Sequence, residues 1–203
     1  MTGGGGGRFR RELTNAPNLV TLGRLVLIPF VLVFIDNYSP LRTFLASLLY
    51  LVSAGGDALD GYLARSRNQV STLGKFLDPL VDKLTVTAVL VMMVPLGRVP
   101  AALVVVIIAR DLAINGLRSI ASAQGLVIAA SDGGKIKTAL QLVAIMMLLV
   151  YFKYPLLGFG RPVDYQLVGL VTLYISTVVS LVSAAQYFRN FFVAAWHPSR
   201  PAP

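Results

Sequence analysis

Four aspartates, Asp57, Asp60, Asp78 and Asp82, stand in one of the most apolar parts of the chain. A carboxylate placed in hydrocarbon costs about 2.5–3.5 kcal/mol on insertion scales, so a group of four requires a physical reason. Asp57 and Asp60 are three residues apart, and Asp78 and Asp82 are four apart, so each pair shares one face of a helix. An antiparallel hairpin turning through residues 65–75 would bring the two pairs together. Carboxylates that cannot all stay ionised side by side point to a divalent cation between them. Oxygen-only ligands suit Mg²⁺ or Mn²⁺, and four carboxylates suit two ions better than one. Ion-paired helix ends would be a blander explanation, but only Arg65 and Lys83 lie close in sequence to balance four acids. A proton relay or a cation pathway is the stronger rival, and a cation transporter is the corresponding alternative of a different class.

Small residues accompany the acids. Gly61 and Ala64 lie four and seven positions after Asp57 on the same helix face, and Gly74 precedes Asp78 by one turn. They read either as close helix–helix packing in lipid or as the floor of a groove that admits a bulky ligand. Arg65 either snorkels to the interface or pairs with the acids or a ligand diphosphate. A second, basic constellation follows in Arg110, Arg118, Lys135 and Lys137. Cations near a metal site suit an anionic second substrate. The alternatives are an internal ion pair between Arg110 and Asp111 and ordinary loop charges at Lys135 and Lys137.

The elements that position these residues read as membrane-spanning helices. Of 203 residues, 56% are hydrophobic and 13% charged, and mean hydropathy is +0.72. Soluble domains carry about 25% charged residues. Apolar windows long enough for roughly 30 Å of hydrocarbon fall at 19–35, 41–63, 76–96, 99–123, 137–152 and 165–188. The expected architecture is an all-α integral membrane protein of six transmembrane helices, with a short basic amphipathic helix lying in the interface near residues 8–13. Residues 1–14 form a Gly-rich, basic start, 15–192 the helical domain and 193–203 a Pro-rich tail. A β-barrel is disfavoured because the apolar runs do not alternate in polarity. The first run, with Pro29 inside it and no small-residue cleavage pattern, does not read as a cleavable signal. No internal repeat appears.

Six crossings leave both termini on one side. The 18 Lys and Arg residues then divide 14 to 4, the poorer side holding Arg42, Arg98, Lys153 and Arg161. The positive-inside bias makes the richer side cytoplasmic and places the aspartates there. The chain has no cysteine and a single histidine, His197 in the tail, so thiolate or histidine metal centres and a histidine dyad are excluded. The net charge of +9 is spread over loops and helix ends. It reads as affinity for anionic lipid headgroups and phosphates rather than for nucleic acid.

The string Asp57-x-x-Asp60-Gly61-x-x-Ala64-Arg65, continued by Gly74, Asp78 and Asp82 at their spacings, resembles the CDP-alcohol phosphotransferase signature at all eight specified positions. The resemblance implies a six-helix membrane enzyme, commonly a homodimer; the expected location is the cell (inner) membrane, where the charge bias turns the active site to the cytoplasm. It implies transfer of a phosphatidyl group from CDP-diacylglycerol to an alcohol with release of CMP. It further implies Asp57, Asp60 and Asp78 as metal ligands, and Asp82 as the base that also touches the second metal. Gly61, Ala64 and Gly74 would line the nucleotide groove, with Asp60 and Arg65 near the diphosphate. Asn18, Thr21 and Arg24 have two readings, as nucleotide contacts or as cap and anchor of the first span.

The stretch 109–141 is similar to the branch of that family whose acceptor is sn-glycerol 3-phosphate, and Arg110, Arg118, Lys135 and Lys137 would then hold the acceptor phosphate. The resemblance runs from Asn15 to about Phe188. It departs from the family pattern at Asp132-Gly133-Gly134, where bulkier or less acidic residues are typical. A cardiolipin synthase, or another transferase of the family with a different acceptor, is the sibling alternative.

Overall fold

In a computed structural model, the structure describes residues 16–66, 72–124, 132–155, 160 and 162–196. Side chains are described throughout these except at 16–17, 57–66, 72–73, 75–76 and 132–133. Among the described residues six helices carry the fold: α1 (Ala16–Phe34), α2 (Pro40–Ser66), α3 (Thr72–Met93), α4 (Ala101–Ala123), α5 (Asp132–Val150) and α6 (Tyr165–Trp196). Between α5 and α6 lies an antiparallel hairpin of β1 (Lys153–Pro155) and β2 (Pro162–Asp164), with Tyr154 opposite Val163. Three-residue strands carry too little alternation to register as a pattern.

Each helix covers most of its apolar window; α2 and α6 contain theirs whole, while α1, α3, α4 and α5 fall one to three residues short of it at one end. Pro17 falls in the first turn of α1, where a missing N–H costs nothing. Pro29 and Pro79 sit inside α1 and α3 and each removes one intrahelical hydrogen bond. Helix α6 continues to Trp196, eight residues beyond its expected end at Phe188. By length and composition it can cross a bilayer, with a mean hydropathy of 2.1 in its most apolar window. Large apolar side chains face outward around the molecule, among them Phe30, Leu112 and Val178, which are 53%, 67% and 60% exposed. The segment around residues 8–13, expected as an interfacial helix, lies outside the described residues.

The helices pair unevenly. Helices α5 and α6 share the most extensive contact, α1 packs on both α2 and α3, α2 on α5, and α4 on α6. Among the described residues α2 and α3 touch each other little, so α1 joins them more than a direct hairpin contact does. At Gly169 a Cβ would lie 2.9 Å from the Leu148 backbone nitrogen, so α6 approaches the α5 backbone as only a small residue permits. One apolar core joins Val31, Tyr50, Leu90, Met93, Leu103, Ile145, Leu148 and Leu173. A smaller cluster links α4 to α6 through Ile114, Leu117, Ala121, Ala184, Tyr187 and Phe191.

One end of the bundle is tied by Arg98, a residue the sequence reading counted only as a loop charge. It is 1% exposed. Its Nε donates to Asn37 Oδ1 at 2.9 Å and its Nη1 to the Leu148 carbonyl at 2.8 Å, while Nη2 donates to the Asp36 carbonyl. The guanidinium stacks 4.1 Å from the centre of the Tyr151 ring. Tyr151 has φ +64°, the left-handed conformation glycine usually supplies after a helix. Arg98 therefore caps the C-terminal ends of α1 and α5 together and holds Tyr151 in an unfavourable backbone geometry.

Candidate active site

Asp78 and Asp82 lie one turn apart on α3, on either side of the turn begun by Pro79. Asp78 Oδ1 accepts a hydrogen bond from Thr21 Oγ1 at 2.9 Å, which fixes that carboxylate against α1 and leaves Oδ2 for another partner. The Asp82 side chain is 38% exposed, and its Oδ2 lies 3.5 Å from Lys83 Nζ. Asn18, Thr21 and Arg24 follow along α1, all buried, at 2%, 0% and 3% exposure. Gly74 is buried in the first turns of α3. Asp57, Asp60, Gly61, Ala64 and Arg65 belong to the last turns of α2, and their side chains lie outside the described residues. The donor chemistry at Asp78 and Asp82 is carboxylate oxygen with at least one oxygen open, which fits a hard divalent cation.

The basic residues come together. Arg110, Arg118, Lys135 and Lys137, brought by α4 and α5, line one cavity of about 600 Å³, joined by Lys83 of α3. Among the described residues these five cations face one lining carboxylate, Asp111, a local balance of +4 (five minus one). Asp111 organises three of them. Both its oxygens accept from Lys137 Nζ at 2.8 Å, Oδ1 accepts from Arg110 Nη1 at 2.9 Å, and Lys83 Nζ stands 3.8 Å away. Arg110 Nε also donates to the Ser180 carbonyl of α6 at 3.1 Å. The Arg118 guanidinium lies 6.0 Å from the centre of the Tyr187 ring. The ion pair of Arg110 with Asp111 thus exists, and it leaves the cavity strongly positive all the same. A positive, partly enclosed cavity concentrates anions and pairs with phosphate oxygens.

Lys83 links this cavity to the acids. It also lines a second, smaller cavity of about 110 Å³, together with Asp82, Arg24, Tyr50, Ser53 and Gln141. Lys83, Thr138 and Leu142 form the wall common to both spaces. Asp111, Lys83, Ser53 and Gln141 were not singled out from the sequence as site residues. Asp111 follows Arg110 in an otherwise apolar run, and its closest cross-helix partner, Lys137, is 26 positions away. The one available signal was the energetic cost of a charge inside the fourth apolar run.

The sequence profile of the CDP-alcohol phosphatidyltransferase family matches residues 14–193. A Bacillus subtilis (strain 168) protein named CDP-diacylglycerol–glycerol-3-phosphate 3-phosphatidyltransferase is 34% identical over 190 residues, covering 86% of this chain and 93% of the relative. Proteins of the same name are similar in Shigella flexneri serotype 5b, at 38% identity over 85% of this chain and 92% of the relative, and in Rickettsia bellii, at 32% over 86% and 94%.

Proposed function

The chain belongs to the CDP-alcohol phosphatidyltransferase family, and from that premise we propose that it transfers the phosphatidyl group of CDP-diacylglycerol to sn-glycerol 3-phosphate, giving phosphatidylglycerophosphate and CMP. The observation that carries the choice of acceptor is the cavity of five cations adjoining Asp82. A neutral alcohol would leave that charge without a counterpart, whereas a phosphomonoester supplies two negative charges. Relatives that carry the name of this activity support the same reading.

Arg118 and Lys135 bind the acceptor phosphate, with Arg110 and Lys137 held in place by Asp111 as the wall behind it. Asp82 takes the proton of the 1-hydroxyl as the oxygen attacks the phosphorus bearing diacylglycerol. The new P–O bond forms as the bond to the CMP phosphate breaks, and CMP leaves with the electron pair. Asn18, Thr21, Asp60, Gly61, Ala64, Arg65 and Gly74 hold the nucleotide lipid. Thr21 also orients Asp78 through its hydroxyl. Asp57, Asp60, Asp78 and Asp82 would hold one or two Mg²⁺ or Mn²⁺ ions. When bound, such ions neutralise the diphosphate and polarise the phosphorus under attack.

In this reading the six helices all cross the cell membrane, the acids and the basic cavity face the cytoplasm, and two copies of the chain pair as a homodimer. The test is CMP release by purified protein in detergent with CDP-diacylglycerol, Mg²⁺ or Mn²⁺, and glycerol 3-phosphate, phosphatidylglycerol, inositol phosphate or serine in turn. Release with glycerol 3-phosphate is the expected result. Release only with another alcohol would refute the acceptor assignment.

A further inference from the structure

The smaller cavity holds two buried polar groups that the transfer reaction, as described above, does not use. Ser53 and Gln141 are 1% and 5% exposed. Ser53 Oγ and Gln141 Nε2 have no hydrogen-bond partner among the described residues. Leaving such a group unpaired costs about 1–3 kcal/mol, so a buried pair of them lining one space calls for a polar partner there, from water or from a ligand. The space also has the right neighbours. Asp82 lines it, and Lys83 and Thr138 separate it from the cationic cavity. Its volume of about 110 Å³ corresponds to about three or four waters at roughly 30 Å³ each, enough for a short hydroxylated carbon fragment.

We propose that this pocket seats the hydroxyl end of the acceptor, with Gln141 Nε2 donating to the 2-hydroxyl oxygen and Ser53 Oγ accepting its proton, so that these two residues select the alcohol. The assignment rests on the transfer reaction proposed above and extends it. A phosphate held in the larger cavity lets the carbon chain pass Lys83 and Thr138 and bring the neighbouring 1-hydroxyl to Asp82. The two hydrogen bonds then fix which hydroxyl reaches the base, and an acceptor lacking the second hydroxyl leaves both groups unpaired in the bound state. A site of that kind discriminates by what it fails to satisfy.

The test measures CMP release with sn-glycerol 3-phosphate and with 3-hydroxypropyl phosphate, which differs only by the missing 2-hydroxyl. The wild-type protein is expected to favour glycerol 3-phosphate in kcat/KM by about tenfold or more. Gln141→Leu and Ser53→Ala are expected to lower that value for glycerol 3-phosphate while leaving the deoxy acceptor within about threefold, so the preference shrinks. A wild-type protein that uses both acceptors equally would overturn the assignment. So would variants that lose activity on both acceptors alike. The wild-type comparison requires no variant, and Ser53→Ala removes a single oxygen, so the outcome does not depend on the folding of Gln141→Leu. Absence of CMP with glycerol 3-phosphate, alongside release with another alcohol, would overturn the reaction itself and this assignment with it.

Discussion

Removing the Asp111 carboxylate would strand Lys137, whose side chain is 5% exposed and whose ammonium meets both Asp111 oxygens at 2.8 Å. Breaking a buried pair from one side costs about 3–5 kcal/mol because the remaining charge is uncompensated. Asp111→Ala is therefore expected to lower the unfolding free energy in detergent by that order, with a smaller loss for Asp111→Asn, which keeps an acceptor oxygen. At Asp82 the expectation is the opposite. Its side chain is 38% exposed and its ion-pair partner, Lys83, is 3.5 Å away, so Asp82→Asn should leave stability nearly unchanged. Turnover should fall by about 10²–10⁴-fold, the usual worth of a positioned base. Binding of CDP-diacylglycerol, measured by titration, should persist; loss as severe as that in Asp57→Asn would mark Asp82 as chiefly a metal ligand. At this scale the sequence showed the acids and cations because their types and local spacings are visible along one helix. It did not show Asp111 as the point where Arg110, Lys137 and Lys83 meet, since three helices must fold together to create it. Ser53 and Gln141 were silent for the same reason. A lone Ser or Gln in an apolar run is unremarkable until its partners can be counted.

Between elements, α6 comes close to the α5 backbone at Gly169, where an added Cβ would meet Leu148 Cγ and N at 2.9 Å and the Ala144 carbonyl at 3.1 Å. Backbone atoms cannot swing aside as a side-chain tip can, so Gly169→Ala must push α5 and α6 apart. The expected loss is about 1–3 kcal/mol, measurable as a lowered midpoint of thermal unfolding. The hairpin offers a pH-dependent contact. Asp164 Oδ1 accepts the Leu167 N–H at 3.0 Å and so caps α6, and its other oxygen lies 3.2 Å from Lys153. The backbone hydrogen bond, with Lys153 as the second cause, holds the Asp164 carboxyl below its ordinary value. A depressed carboxyl stabilises the fold above its unfolded pKa, about 3.9, and loses that contribution as pH falls through the folded value. Hydrogen-exchange protection at Leu167, corrected for intrinsic rates, should hold from neutral pH to about 4 and drop below it. Asp164→Asn should flatten that dependence. The helices themselves were legible from their apolar lengths. The hairpin was not, because its register is set by Tyr154 meeting Val163 across a connection, which no periodicity within either strand reveals.

Across the whole molecule the two ends of the bundle are built for different work. One end is sealed by Arg98, which joins the ends of α1 and α5 and the α3–α4 connection. Along α3, Asp82 stands eleven residues before the helix ends at Met93, a distance of about 16 Å at 1.5 Å per residue. The cations of the larger cavity gather toward the other end, where α4 finishes and α5 begins. If the positive-inside bias governs insertion, the Arg98 end faces outward and the cavity faces the cytoplasm. The chain contains no cysteine, so a single introduced thiol reports its own side without background. Lys153, in the hairpin, and Gln124, at the C-terminal end of α4, are both exposed and both outside the proposed substrate contacts. In sealed right-side-out vesicles a membrane-impermeant maleimide should label Lys153→Cys at once, and Gln124→Cys only after permeabilisation. The reverse pattern would turn the molecule over and move the acceptor cavity out of the cytoplasm. Labelling of both sites in sealed vesicles would place them on the same side and would be incompatible with six crossings, because α5 would not then traverse the bilayer between them.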